Sequence, residues 1–237
     1  MKTLLQLILL LTISISFSQN SPFEKWSELA DKDPSLQPEY GNIQKNQDQL
    51  QNDQQFLDKL LKEYGGDTKK ASKKMTELGF QYLYEKQDFI TAMRRFNQAF
   101  LVDSDNADIY YGYGSIYFNL GELEKAREQY DKGLKIDPKH SEILTDYGTT
   151  YMGDFYQNFD TDKKLAFQKL ALAKDFLDKS YKIDDKNSNT VYKLSIVNMY
   201  LDNCKEAWKY LKKAKQMKNP NVTEAYEKEL ITKCGSS

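Results

Sequence analysis

A period of 34 residues constrains this chain more than any other feature of its sequence. Ala92, Phe96 and Ala99 recur 34 residues later as Ala126, Tyr130 and Gly133; after an interval of 47 they recur as Ala173, Leu177 and Ser180, and after a further 34 as Ala207, Leu211 and Ala214. The longer interval is one period plus an insertion of 13 residues. Small residues in the first and third columns let two helices approach closely, and the bulky residue between them, one helical turn on, fills the space beside the contact. Each unit therefore reads as a pair of helices. The five prolines stand at positions 22, 34, 38, 138 and 220, so residues 39–137 and 139–219 lack the strongest helix breaker, and the chain reads as all-α.

The second unit carries a more specific pattern. Tyr110-x2-Tyr113-Gly114-x2-Tyr117 is followed by Ala126-x3-Tyr130 and Pro138; the third unit has Leu144-x2-Tyr147-Gly148-x2-Tyr151, and the fourth Val191-x2-Leu194-Ser195 with Ala207 and Leu211. This resembles the tetratricopeptide repeat, whose pattern is large-x2-large-Gly-x2-aromatic, then Ala-x3-aromatic, then Pro. The first unit matches through Ala92, Phe96 and Ala99, but its Leu78-Gly79 pair lies one residue early. The resemblance implies a right-handed α-solenoid of about four helix pairs, spanning 73–106, 107–140, 141–187 with the insertion, and 188–221, with a capping helix at each end.

Local signals agree. Gly121-Glu122 after Asn119-Leu120 marks a turn between helices, and Asp137-Pro138 marks a helix end, because a residue before proline disfavours the α region. The insertion lies between Tyr151 and Ala173: residues 152–159 extend the unit's first helix, Asp160-Thr161-Asp162 turns, and residues 163–178 extend the second, so this unit projects beyond its neighbours. Residues 19–46, with three prolines and no helical period, read as an extended arm that Trp26 pins down. In residues 47–72, Phe56, Leu57, Leu60, Leu61 and Tyr64 form one face of a capping helix that Gly65-Gly66 stops. Residues 222–237 form the other cap, with Asn221 and Glu224 as its N-cap and reciprocal acid. Lys2, the apolar stretch from Leu4 to Phe17 and the small residues Ser16 and Ser18 read as a cleavable signal over residues 1–18, too short to span a bilayer. The expected location is the periplasm or the exterior of a bacterium, with no stable membrane insertion after cleavage.

Composition removes most chemistry. With 34 Lys+Arg against 35 Asp+Glu and no basic stripe interleaved with aromatics, a nucleic-acid partner is not expected. His140 is the one histidine, which argues against zinc sites and histidine-assisted nucleophiles; it stands at a junction between units, where a polar residue caps a helix or faces solvent. Asp160 and Asp162 fail as a calcium loop, since Lys163 and Lys169 occupy the places of the required Gly and Glu. No metal, cofactor or catalytic residue is expected. Cys204 and Cys234 fall at the same end of the expected stack, a placement that fits either a disulfide in an oxidising compartment or two free thiols.

What remains is recognition. By resemblance, the places that face the concave groove of such a solenoid fall on Tyr84 in the first unit, on Tyr111, Ser115, Phe118 and Asn119 in the second, on Thr145, Thr149 and Met152 in the third, and on Tyr192, Ile196 and Met199 in the fourth. The basic-and-Asn set with which some relatives clamp a terminal carboxylate is absent: Glu77, Tyr111, Thr145 and Tyr192 stand where it would begin. The expected function is a non-enzymatic scaffold that holds a peptide or helix of another envelope or secreted protein in an aromatic groove. Two alternatives stand beside it: a small-ligand carrier or enzyme with a pocket near the third unit and Trp26, and a self-assembling spacer.

Overall fold

The computed structural model describes residues 21–236, which are helical with no strand among them. An arm with α1 (Pro22–Ala30) leads into α2 (Gln47–Glu63). Four helix pairs follow: α3 (Thr68–Phe80) with α4 (Phe89–Val102), α5 (Ala107–Asn119) with α6 (Leu123–Ile136), α7 (Ser141–Asn158) with α8 (Lys163–Ile183), and α9 (Ser188–Tyr200) with α10 (Cys204–Gln216). The last element is α11 (Glu224–Cys234). The first helices α3, α5, α7 and α9 touch in succession, so the pairs stack as an α-solenoid. Among the described residues no helix is long and apolar enough to cross a membrane. The signal expected over residues 1–18 lies outside the described residues.

Each junction between pairs is cut by the same chemistry. Asp103, Asp137 and Asp184 end α4, α6 and α8 in extended conformation, and the carboxylate of each accepts the N–H two residues on. Three residues after each Asp, the side chains of Asn106, His140 and Asn187 cap α5, α7 and α9. His140 is thus the imidazole version of a repeated asparagine cap, its Nδ1 accepting from the Ile143 N–H and its Nε2 lying 2.8 Å from Asp108.

The columns of small residues pack as the period requires, with Ala92, Ala99, Ala126, Ala173, Ala207 and Ala214 fully buried. A Cβ on Gly114 would stand 2.2 Å from the Tyr130 ring, and one on Gly79 2.4 Å from the Phe96 ring. Gly79 therefore does for the first pair what Gly114 does for the second. Its early position has a local cause: residues Gln81–Glu85 form a π-helical turn, which takes up one extra residue before α4.

Relative to α5 and α6, with 13 and 14 residues, α7 and α8 run to 18 and 21, so the insertion lengthens both partners of the third pair beyond their neighbours. At about 1.5 Å per residue the projection is roughly 8–10 Å.

The ends differ from expectation in three places. Residues 19–46 are not simply extended: Pro22 sits in the first turn of α1, where its missing N–H costs nothing, and Ser21 and Glu24 form a capping box. The first helix of the first pair begins at Thr68, ahead of residue 73, because Asp67, directly after the Gly65-Gly66 stop, caps α3. The cap of α11 is Thr223, which accepts from the Tyr226 N–H, while Asn221 bonds Asn189 in the preceding pair.

The arm lies across the second helices. Asn97, fully buried on α4, donates to the carbonyls of Ser35 (2.9 Å) and Gln37 (2.8 Å) and accepts from the Tyr113 hydroxyl (2.6 Å) and the Tyr40 N–H (3.4 Å). Arg94 pairs with Asp33 at 2.8 Å and Lys132 with Glu39 at 2.7 Å. Between these anchors Glu39, Tyr40, Gly41 and Asn42 run through four consecutive left-handed conformations (φ 57°, 56°, 64° and 54°), which only surrounding contacts sustain. Trp26 and Leu36 are buried by the same docking. At the other end Cys204, the first residue of α10, is disulfide-bonded to Cys234, the last of α11, with Cα atoms 5.4 Å apart.

Candidate interaction groove

The face formed by the first helices carries a ladder of aromatic and polar side chains that crosses from pair to pair. Tyr84, in the π-helical turn, is 53% exposed; its ring stacks on Phe80 at 6.0 Å and its hydroxyl donates to Ser115 on α5 at 3.3 Å. Tyr111 donates to Asp146 on α7 at 3.1 Å, and Asp146 also accepts from Lys193 on α9 at 3.3 Å. Burial, together with the Asp146 carboxylate, holds the Tyr111 hydroxyl well above the usual phenol range, so it stays a donor. These bonds fix the spacing of all four first helices along the groove.

Of the expected groove residues, Tyr84 and Asn119 are exposed, and Tyr111, Phe118, Thr149, Tyr192 and Ile196 are half-buried. Four others lie inside. Ser115, 2% exposed, accepts from Tyr84 beneath the surface. Thr145 lies in a buried hydroxyl cluster, 2.8 Å from Ser180 and 2.6 Å from Thr190, which joins α7 to α8 and α9. Met152 belongs to the core between the third and fourth pairs, and Met199 to the core covered by α11. Ser115, Thr145 and Met152 are packing residues, while Met199, though covered by α11, also lines a cavity at the carboxyl end.

At the carboxyl end the groove deepens into a cavity of about 300 Å³ between α7, α9 and α11. Tyr192, Ile196 and Met199 line it, and with them stand Tyr156, Tyr200, Tyr226 and Glu229, which the repeat pattern does not reach. Tyr156, 51% exposed, comes from the lengthened part of α7. Tyr200 donates to Glu229 at 3.0 Å, and the Tyr226 hydroxyl lies 2.7 Å from Ser195. The rings meet in perpendicular pairs, Tyr192 with Tyr226 at 5.3 Å and Tyr156 with Tyr200 at 5.9 Å. The sequence signal for this end was the i, i+4, i+8 run of Tyr192, Ile196 and Tyr200 on one helix face.

The regions proposed for a small-ligand site look different. Around Trp26 the surface is an apolar depression of about 360 Å³ whose ionic residues are Lys25 and the α4 cap Asp88. In the third pair, Asp154 is held by Arg127 at 3.2 Å and Lys169 at 3.3 Å, with the Tyr151 ring against both cations. That is an ion-paired cluster joining α6 to the lengthened helices.

Comparison with known proteins places this geometry. A tetratricopeptide-repeat family model matches residues 83–145. Among solved structures, the chain is similar to a thermophilic TPR protein of Thermus thermophilus, with 18% identity, a TM-score of 0.54 and coverage of 62% of this chain and 74% of that one. It is also similar to PilW, a widely conserved type IV pilus biogenesis factor, with 20% identity, a TM-score of 0.39 and coverage of 69% of this chain and 86% of that one.

Proposed function

We propose that this chain, a tetratricopeptide-repeat protein, is an exported, non-enzymatic scaffold that holds a peptide or helix of another envelope or secreted protein along the face of its first helices. The observation that carries this reading is the cross-linked ladder from Tyr84 to Lys193. Aromatic rings with polar tips lie half-exposed on a surface whose spacing is fixed by Tyr84–Ser115 and Tyr111–Asp146–Lys193 contacts, so little order has to be gained on binding. Such rings supply much of the energy at protein interfaces. The disulfide supports export, because such bonds persist in oxidising compartments.

The test is capture from the native envelope and secreted fractions on immobilised protein, beside a Tyr84→Ala/Phe118→Ala variant matched for helicity and melting temperature. Selective capture by the unchanged protein, weakened about tenfold or more in the variant, supports the groove. Capture unaffected by the variant overturns it as the site. Assembly of the protein with itself, with no other chain captured, overturns the scaffold in favour of the spacer.

A further inference from the structure

We propose that the cavity at the carboxyl end of the groove receives one basic side chain of the bound segment, an arginine. This rests on the scaffold reading above and specifies the partner's chemistry. Four tyrosine rings line the cavity, and Glu229 is the one charged residue among its walls; no lysine or arginine lines it. Glu229 is exposed and accepts one hydrogen bond, from Tyr200 at its Oε1, which leaves its other oxygen open to a donor. Burial and the Glu229 carboxylate together push the hydroxyls of Tyr156, Tyr192, Tyr200 and Tyr226 above the usual phenol range, so one negative field reaches all four walls.

A cavity of tyrosine side chains around one carboxylate favours a cation, rejects an anion and gives a neutral side chain no electrostatic gain. The chain itself supplies a precedent: the Lys233 ammonium, paired with Asp202 at 3.3 Å, stands 5.2 Å from the Tyr200 ring centroid without lining the cavity. Arginine suits the site better than lysine, because its planar fork stacks on a ring while donating two bonds to a carboxylate.

The experiment uses acetylated, amidated peptides Gly-Ser-X-Ser-Gly, with arginine, lysine, citrulline or proline at X, titrated into the protein from residue 19 onward and followed by tyrosine ring-proton shifts. The expected result is saturable binding of the arginine peptide that weakens with salt, with citrulline, its neutral isostere, about tenfold weaker. Glu229→Gln should weaken arginine about tenfold and leave citrulline unchanged. Equal binding of arginine and citrulline, preference for proline, or no saturable shift through about 10 mM overturns the inference. A captured partner that is sensitive to Tyr84→Ala/Phe118→Ala but indifferent to Glu229→Gln also overturns it, and leaves the scaffold standing. Arginine binding without any captured partner removes the scaffold alone.

Discussion

Replacing Asn97 with alanine should release the arm. The amide uses its full capacity: two donated bonds to the Ser35 and Gln37 carbonyls, and two accepted from Tyr113 and Tyr40. Alanine leaves two carbonyls, an N–H and the buried Tyr113 hydroxyl facing a methyl group. A buried polar group left without a partner costs about 1–3 kcal/mol, and water reaches the half-buried arm, so with the lower value for each the total is roughly 4 kcal/mol. The left-handed turn from Glu39 to Asn42 then loses a support it needs. Because the arm docks on the stacked pairs, the loss is felt first as local opening, and the global loss cannot exceed the free energy of docking. The assay uses a Trp208→Phe background, in which Trp26 is the remaining tryptophan. Its emission should shift to the red at lower denaturant than the helical signal is lost, and the Leu36 and Tyr40 amides should lose exchange protection. A global loss under about 1 kcal/mol with those amides still protected would refute the reasoning.

Alkali should unfold the protein cooperatively. Burial and nearby carboxylates push Tyr110 and Tyr117 up to about 12, and burial first holds Tyr113 and Tyr130 well above the usual range. Unfolded tyrosines ionise near pH 10, so the native state holds more protons above that pH and stability falls as pH rises from about 10 toward 12. Phenolate absorbance should therefore rise together with loss of helicity; independent titration near pH 10 in an intact fold would contradict this. Asp154→Ala takes one of two acids from the buried Arg127 guanidinium, which keeps Glu124, and by denaturant titration should cost less than a fully stranded charge, about 3–5 kcal/mol, whereas Glu124→Ala/Asp154→Ala should reach that range; equal losses in the two variants would show that Glu124 does not hold the guanidinium. Cys204→Ser/Cys234→Ser opens a loop of sequence separation 30 and should lower stability by up to ~3.7 kcal/mol, with the α11 amides of Tyr226 and Leu230 losing protection first. An unchanged denaturation midpoint would show that the link adds nothing.

The helix pairs were legible because their columns of small residues are the contacts themselves: a position such as Ala126 admits nothing larger wherever the pair is placed. Groove positions are less determined. Met152 and Met199 occupy outward columns of an ideal unit, but the lengthened third pair buries one and α11 the other, and neither element belongs to the period. Thr145 sinks because Ser180 and Thr190 supply hydroxyls against it, a pairing 35 and 45 residues away that no local pattern encodes. The arm hid its helix for a different reason: α1 has nine residues, too few to display a period, and only Phe23, Trp26 and Ala30 mark its inner face. Glu229 was out of reach because the seat of a capping helix depends on the last pair, not on the repeat.

The lengthening of the third pair sits at the tip where α7 turns into α8, yet it is packed on both sides: Phe155 and Phe159 meet the Tyr200 ring of the next pair at 4.9 and 6.2 Å, and Asp154 pairs with Arg127 of the previous one. Tyr156, one wall of the cavity, is carried by the same tip. An array built this way cannot gain or lose such a hairpin tip without refitting the units on either side, so a change in what the cavity recognises comes with a change in what holds the stack together.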